Sequence, residues 1–338
     1  MKQIALAISL LIAPTIPQAA PANAMIDGIV DAHILPRFEA LAEGSRTLSQ
    51  VAVDDCDPTS ADLRRAYSTA FDAWISASHL RFGPTEVDDR AFALAFWPDS
   101  RGTTPRTLGN LLSEEDPIAS SAADYAQISI AARGFYAMEF LLYDDTLMSA
   151  GDPAYHCQLI QTISADIALI SHDILDEWQT EYAAFLLTPT QAGTYRSNEE
   201  VLQQLFKSLS AGLQFTAETR LGRPLGTFDR PRPARAEARR SGRSSRQVLL
   251  SLTALNDLAR HLSGDNSDLA AKLDGSYGSL LNIAGVPGTV PSEMVLAVNT
   301  LGLRHLTESL WDKIADRGTV VNVASIAGNQ WKKRYDKH

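Results

Sequence analysis

Between Met25 and about Leu262, apolar residues return every three or four positions, the spacing that lays one stripe along a helix. Ile163, Ile167, Ile170, Ile174 and Trp178 form one such stripe, with Asp173, Asp176 and Glu177 on the opposite side. Others run through Leu63, Tyr67, Ala70 and Trp74, through Leu202, Leu205, Leu209 and Leu213, and through Val248, Leu252, Leu255, Leu258 and Leu262. Each stripe needs a partner face to cover it, so the pattern predicts a helix bundle. Turn chemistry separates the helices at DDCDPTS ahead of Ala61, at FWPDSRGTTP around Pro98 and at LTPTQAGTY around Pro189.

The pattern changes after Gly264. SLLNIAGVPG and GTVVNVASIAG are short β-branched runs bounded by Gly and Pro, and they flank the helical stretch AVNTLGLRHLTESLWDKIAD. Strand, helix, strand is an α/β order that does not continue the bundle. The expected fold is therefore mainly α, with a short incomplete α/β (Rossmann-like) fragment behind it. Three segments follow: residues 1–24, 25–262 and 263–338.

The first segment has the make-up of a Sec-type signal peptide: Lys2, an apolar run from Ile4 to Ile16, and Ala22 and Ala24 ahead of a cut before Met25. Pro14 and Pro17 interrupt that run, and it is too short to span a bilayer. Export, to the periplasm in a Gram-negative cell, is the expectation. An oxidising compartment permits Cys56 and Cys157 to pair across a loop of about a hundred residues; two separate buried thiols are the alternative.

With 338 residues, 45% hydrophobic and 21% charged, the chain can build one large or two ordinary domains. The net charge of −10 disfavours contact with phosphate backbones, so nucleic acid is not an expected partner. One stretch runs against the overall balance: Arg220 to Arg246 holds nine arginines and three prolines. It reads as a solvated loop entering a helix, with an anion-binding surface as the alternative.

Candidate chemistry centres on ARGFYAMEFLLYD, where Glu139 interrupts an apolar helix. On a helical wheel Glu139 falls about 60° from Tyr136, beside Ala132 and Tyr143 and at the border of the Ile128, Phe135 and Leu142 stripe. A carboxylate there must be paired, hydrogen-bonded, protonated or bound to metal, because burying it alone costs several kcal/mol. Arg133 or an arginine of the basic segment is the plain structural partner. HExxH occurs nowhere, and His33, His79, His156 and His172 are scattered.

GFYAMEFLL resembles the GxHxxE motif of the imelysin family, exported bacterial helical proteins that include peptidases and proteins associated with iron uptake. HILPRFEALAEGSRTL, FWPDSRG and EARRSGRSSRQVLLSL are similar to other parts of that family, and the likeness covers about residues 25–262. The resemblance implies an imelysin-like helix bundle in the periplasm that binds a metal ion or small ligand and works with membrane-associated iron-uptake components. It implies a metal site at Glu139 and Tyr136 with His33 as a further candidate, in a pocket with Gly134, Glu237, Arg240 and Ser244. Tyr136 stands where the family has histidine. A phenol with a pKa near 10 replaces a neutral nitrogen ligand, which suits ferric iron better than zinc. The expected function is thus an iron-associated binding module with an iron or zinc ion, and a metallopeptidase with Glu139 as its catalytic candidate is the alternative.

The last segment resembles the short-chain dehydrogenases. LLNIAGVPG, VNTLG and GTVVNVASIAG place Asn282, Asn299 and Ser325 at that family's cofactor and active-site motifs. The TGxxxGxG loop that holds the pyrophosphate is missing, as is the YxxxK pair after Ser325. Half a Rossmann sheet exposes its edges, so NAD(P) binding and dehydrogenase activity are not expected.

Overall fold

The computed structural model describes residues 22–227 and 230–264. The expectations for residues 1–21 and for the C-terminal fragment with Asn282, Asn299 and Ser325 lie outside the described residues.

The described chain is a helix bundle, and its β pairing is limited to one bridge between Thr227 and Arg230. The first long helix runs from Ala22–Ile29 through a π turn at Val30–Ile34 into Leu35–Asp54. Its cause is local: Pro36 has no N–H to give to the Ala32 carbonyl, so the regular ladder breaks one turn upstream. A cut before Met25 would remove the first three residues of this helix.

The helix Ala61–Ala77, capped by the Ser60 hydroxyl on the Leu63 N–H, folds back along Leu35–Asp54. Gly44 lets the two backbones close up, since a Cβ there would lie 3.2 Å from Ala70 Cα. On the other side packs Pro153–Glu177, capped by Asp152, with Phe38 stacked on Trp178. The predicted stripes of Ala61–Ala77 and Pro153–Glu177 are buried throughout. Cys56 and Cys157 form a disulfide that ties the loop before Ala61 to the first turn of Pro153–Glu177.

At the centre lies Gly134–Tyr143, in which every residue from Gly134 to Leu142 is buried. The wheel had put Glu139 at the edge of one buried face; instead the helix is covered on all sides. Its entry is set by Gly134 at φ +74°, where a Cβ would fall 2.2 Å from the carbonyl oxygens of Ala93 and Leu94. Only glycine fits so close an approach.

Asn198–Gln214 continues through another π stretch, Phe215–Gly222, into Arg223–Leu225. Here Pro224 removes the donor for the Arg220 carbonyl, repeating the device at Pro36. The Leu202–Leu213 stripe is buried only in part: Leu205 is covered, and Leu202, Leu209 and Leu213 sit at the bundle's rim. Ser208 and Gly212 take the buried side because the neighbour is close; a Cβ on Gly212 would meet Leu255 at 2.6 Å and His79 at 2.9 Å. Ser244–Ser263 completes the bundle, with Val248, Leu252, Leu255, Leu258 and Leu262 buried as the spacing predicts. No helix among the described residues is long and apolar enough to cross a membrane.

The basic segment is not simply solvated. Arg220 is buried against Glu237, Arg240 pairs with Asp144 at 2.7 Å, and Arg243 and Arg246 both pair with Asp72. These pairs fasten the connector onto the Ala61–Ala77 and Gly134–Tyr143 helices.

Candidate functional site

A cavity of about 370 Å³ opens between Ala61–Ala77, the FWP turn, the central helix and the Phe215–Gly222 π turn. Its walls include Trp74, Phe92, Trp97, Tyr136 and Phe215, with His79, Arg81, Arg220 and Glu237 as further charged or titratable lining. Trp97 stacks on Tyr136 with centroids 6.2 Å apart, and Phe215 meets Trp97 edge-on.

Tyr136, Glu237 and Arg220 on this wall are already satisfied by one another. The Tyr136 hydroxyl donates a hydrogen bond to Glu237 Oε1, and Arg220 Nε donates to Glu237 Oε2 at 2.7 Å. The Arg220 guanidinium also reaches Ser251 Oγ at 3.2 Å and Ser78 Oγ at 3.3 Å, and lies over Phe215 at 4.8 Å. Ser244 Oγ donates to the Glu237 carbonyl at 2.5 Å and so pins the strand of chain that carries this carboxylate. Burial, together with the Glu237 charge, pushes the Tyr136 phenol well above its usual value, so it stays protonated and acts as a donor.

Glu139 belongs to a different environment. Its Oε1 accepts the Ser241 N–H at 2.9 Å and the Ser241 hydroxyl at 2.7 Å. Burial raises its pKa, and the two Ser241 bonds and Arg240 pull it part of the way back. Neither expected partner is used: Arg133 makes a two-pronged pair with Asp166 at 2.7 and 2.9 Å, and Arg240 pairs with Asp144 while lying 3.6 Å over the Phe140 ring.

The expected pocket therefore divides in two. Tyr136 and Glu237 meet in the cavity, whereas Glu139 faces Ser241, and Arg240 faces away to Asp144. Gly134 serves the backbone and Ser244 the connector. His33 is in neither group; both of its ring nitrogens are engaged, Nδ1 with Asp257 at 2.7 Å and Nε2 with His79 at 2.8 Å.

This donor set does not suit a bare metal ion. Both Glu237 oxygens are taken, and a guanidinium stands beside them, which repels a cation. No group of three or more His, Cys, Asp and Glu side chains among the described residues stands in a metal-holding arrangement. Glu139, Tyr136 and His33 are thus not brought together: each bonds a different set of partners.

No spacing in the sequence links His79, Arg37, Asp257 and Arg220, which the fold gathers from distant positions. The signal for two of the converging segments was the proline after each π turn, Pro36 downstream of His33 and Pro224 downstream of Arg220. Trp97 beside Pro98 and Phe215 three residues ahead of Glu218 supply cavity walls that no spacing in the sequence links.

Comparison with known proteins adds a family. The family model for imelysin (peptidase family M75) matches residues 34–284. Iron-regulated protein A of Synechococcus elongatus is 26% identical over 225 residues, covering 62% of this chain and 57% of that protein. A coniferyl-alcohol dehydrogenase of Pseudomonas sp. strain HR199 is 46% identical over only 72 residues, 21% of this chain and 27% of the enzyme. The chain thus spans just over half of one curated relative and about a quarter of the other. The solved structure of an imelysin-like protein from Psychrobacter arcticum 273-4 superposes with a TM-score of 0.64 at 20% identity, covering 86% of this chain and 92% of that one. A second structure, from Parabacteroides distasonis ATCC 8503, superposes with a TM-score of 0.63 at 14% identity, over 89% and 94% of the two chains. The extent of the family match and the shared helical fold establish that this chain belongs to the imelysin family.

Proposed function

We propose that the protein is an exported, iron-associated binding module that takes a small organic ligand in its cavity, with any iron carried by the ligand's own donor atoms. The observation that carries this reading is the cavity itself: aromatic walls around a Tyr136–Glu237–Arg220 triad whose charges are already balanced. Concave, largely apolar sites with a few fixed polar groups suit small molecules. The metallopeptidase alternative has no three-donor cluster among the described residues to support it. Export rests on the leader-like first segment, and the iron connection rests on the relative named as iron-regulated protein A.

The test is titration of tryptophan fluorescence with catechol, its ferric complex, ferric citrate and ferric iron alone. Saturable binding of at least one organic species, weakened by Trp97→Ala, supports the proposal. Saturation by ferric iron alone, or no response to any of the organic species, rejects it.

A further inference from the structure

The cavity wall carries a second feature that the triad does not use. His33, held in the first π turn, and His79, just past the C-terminus of Ala61–Ala77, place their Nε2 atoms 2.8 Å apart. His33 Nδ1 lies 2.7 Å from Asp257 Oδ2, and Arg37 donates to the same oxygen at 2.8 Å and to the His33 carbonyl at 2.7 Å. Two imidazoles this close need one donor and one acceptor at the shared contact. The direction of the whole chain follows from its outer end.

Arg37 and His33 hold the Asp257 carboxyl well below its usual range, so it is ionised and can only accept. His33 must therefore donate from Nδ1. Burial lowers the His33 pKa to about 4, with Arg37 and His261 pushing the same way against Asp257, so near neutral pH the ring carries one proton. Its Nε2 is then bare and accepts the His79 Nε2–H. His79 is buried and kept neutral by that burial, by His33 and by the charges of Arg37 and Arg220, which outweigh Asp257. Its remaining nitrogen, Nδ1, is consequently an unprotonated acceptor, and that atom is buried with no hydrogen-bond partner in the protein.

An orphan acceptor on a 95% buried side chain calls for a donor; the residue is 5% exposed and lines the cavity. We propose that Asp257, His33 and His79 form a hydrogen-bond relay that fixes His79 as a bare acceptor for the O–H of a neutral phenolic ligand stacked among Trp74, Trp97 and Phe215. The neutrality of the ligand follows from the lining charges being already paired, Arg220 with Glu237 and Arg81 with Glu86; its ring follows from the walls. Asp257 and His33 are positioning residues, and His79 is the one that touches the ligand. This inference rests on the proposed function and names the ligand class for the same cavity.

The test uses nitrogen-15 spectra of the purified protein, read at the histidine rings and at the indole N–H groups of Trp74 and Trp97, with phenol and its methyl ether anisole as probes. The relay predicts a His79 ring protonated at Nε2 and bare at Nδ1 before any addition. Phenol should shift that Nδ1 resonance and the indole signals; anisole should shift the indoles alone and bind roughly five- to tenfold more weakly. In His79→Leu the preference should vanish, and in His33→Phe the single tautomer should give way to a mixture. The wild-type spectra decide the matter even where a variant fails to fold. A proton on His79 Nδ1 overturns the relay. Indole shifts with both probes but an unmoved Nδ1 overturn the phenol contact and leave the proposed function standing, whereas no indole shift with either probe overturns both.

Discussion

Removing the carboxylate charge of Glu237 strands a buried guanidinium, and the size of the effect can be worked from the contacts. Glu237 is 2% exposed and Arg220 is 6% exposed, so neither can turn to solvent without opening the bundle. Breaking a buried pair from one side costs about 3–5 kcal/mol. In Glu237→Gln the amide oxygen can still accept from Tyr136, and Arg220 keeps Ser251, Ser78 and the Phe215 face, which places the loss near the lower end, about 3 kcal/mol. Arg220→Met strands the carboxylate instead and should cost as much. The double variant removes both charges at once and should lose less than the sum of the single losses by about 2 kcal/mol or more. Urea unfolding followed by tryptophan fluorescence, at matched m-values, measures all four corners of the cycle. Losses that add to within about 0.5 kcal/mol would refute the idea that these two groups neutralise each other inside the cavity wall.

Other consequences can be checked on the same proteins. Burial raises the Glu139 pKa from its ordinary 4.5, so the folded state holds the extra proton above that pH and loses this contribution as pH rises through the folded value. Glu139→Gln, which keeps an acceptor for Ser241, should therefore be at least as stable as the parent at about pH 8, with the difference shrinking toward about pH 4; a deficit at the higher pH would contradict this. His33 behaves in the opposite sense: its pKa falls from 6.5 to about 4, so its contribution is complete above 6.5 and is lost as pH drops toward 4. A pH series of unfolding curves for His33→Gln should show a shallower acid slope across that window, and an unchanged slope would speak against a buried neutral His33. Reducing the Cys56–Cys157 bond, which closes a separation of 101 residues, should lower stability by up to about 4–5 kcal/mol on the chain-entropy account, and Cys157→Ser should reproduce the loss within error.

Much of the fold could be read directly from the chain because it depends on periodicity. The stripe from Ile163 to Trp178 and that from Val248 to Leu262 occupy the buried faces that their spacing implies. The rim position of Leu202, Leu209 and Leu213 could not be read, since it depends on Gly212 bringing His79 and Leu255 close. At the site, Tyr136 was legible as a polar residue in an apolar helix and Glu237 through the resemblance of EARRSGRSSRQVLLSL to the imelysin family, and the structure brings the two together. Glu139 misled because a one-helix wheel shows which face a residue is on but not what covers it; Ser241, 102 residues away, supplies both of its hydrogen bonds. The Asp257–His33–His79 line was invisible for the same reason, being assembled from three separate segments across separations of 224 and 46 residues. Charge composition misled once as well: the arginines from Arg220 to Arg246 read as solvated, yet Arg220 pairs with Glu237 inside the segment, Arg240 with Asp144 at the end of the central helix, and Arg243 and Arg246 with Asp72.

The proposed function turns on whether the protein itself ligates metal. Elemental analysis of the purified protein after incubation with iron and zinc salts and desalting, beside Tyr136→Phe, Glu237→Gln and Glu139→Gln, tests this most directly. The balanced triad in the cavity predicts metal well below one ion per chain in the parent and no change in the three variants. Near-stoichiometric metal in the parent that falls in Tyr136→Phe or Glu139→Gln would contradict it and restore a direct metal site on the central helix.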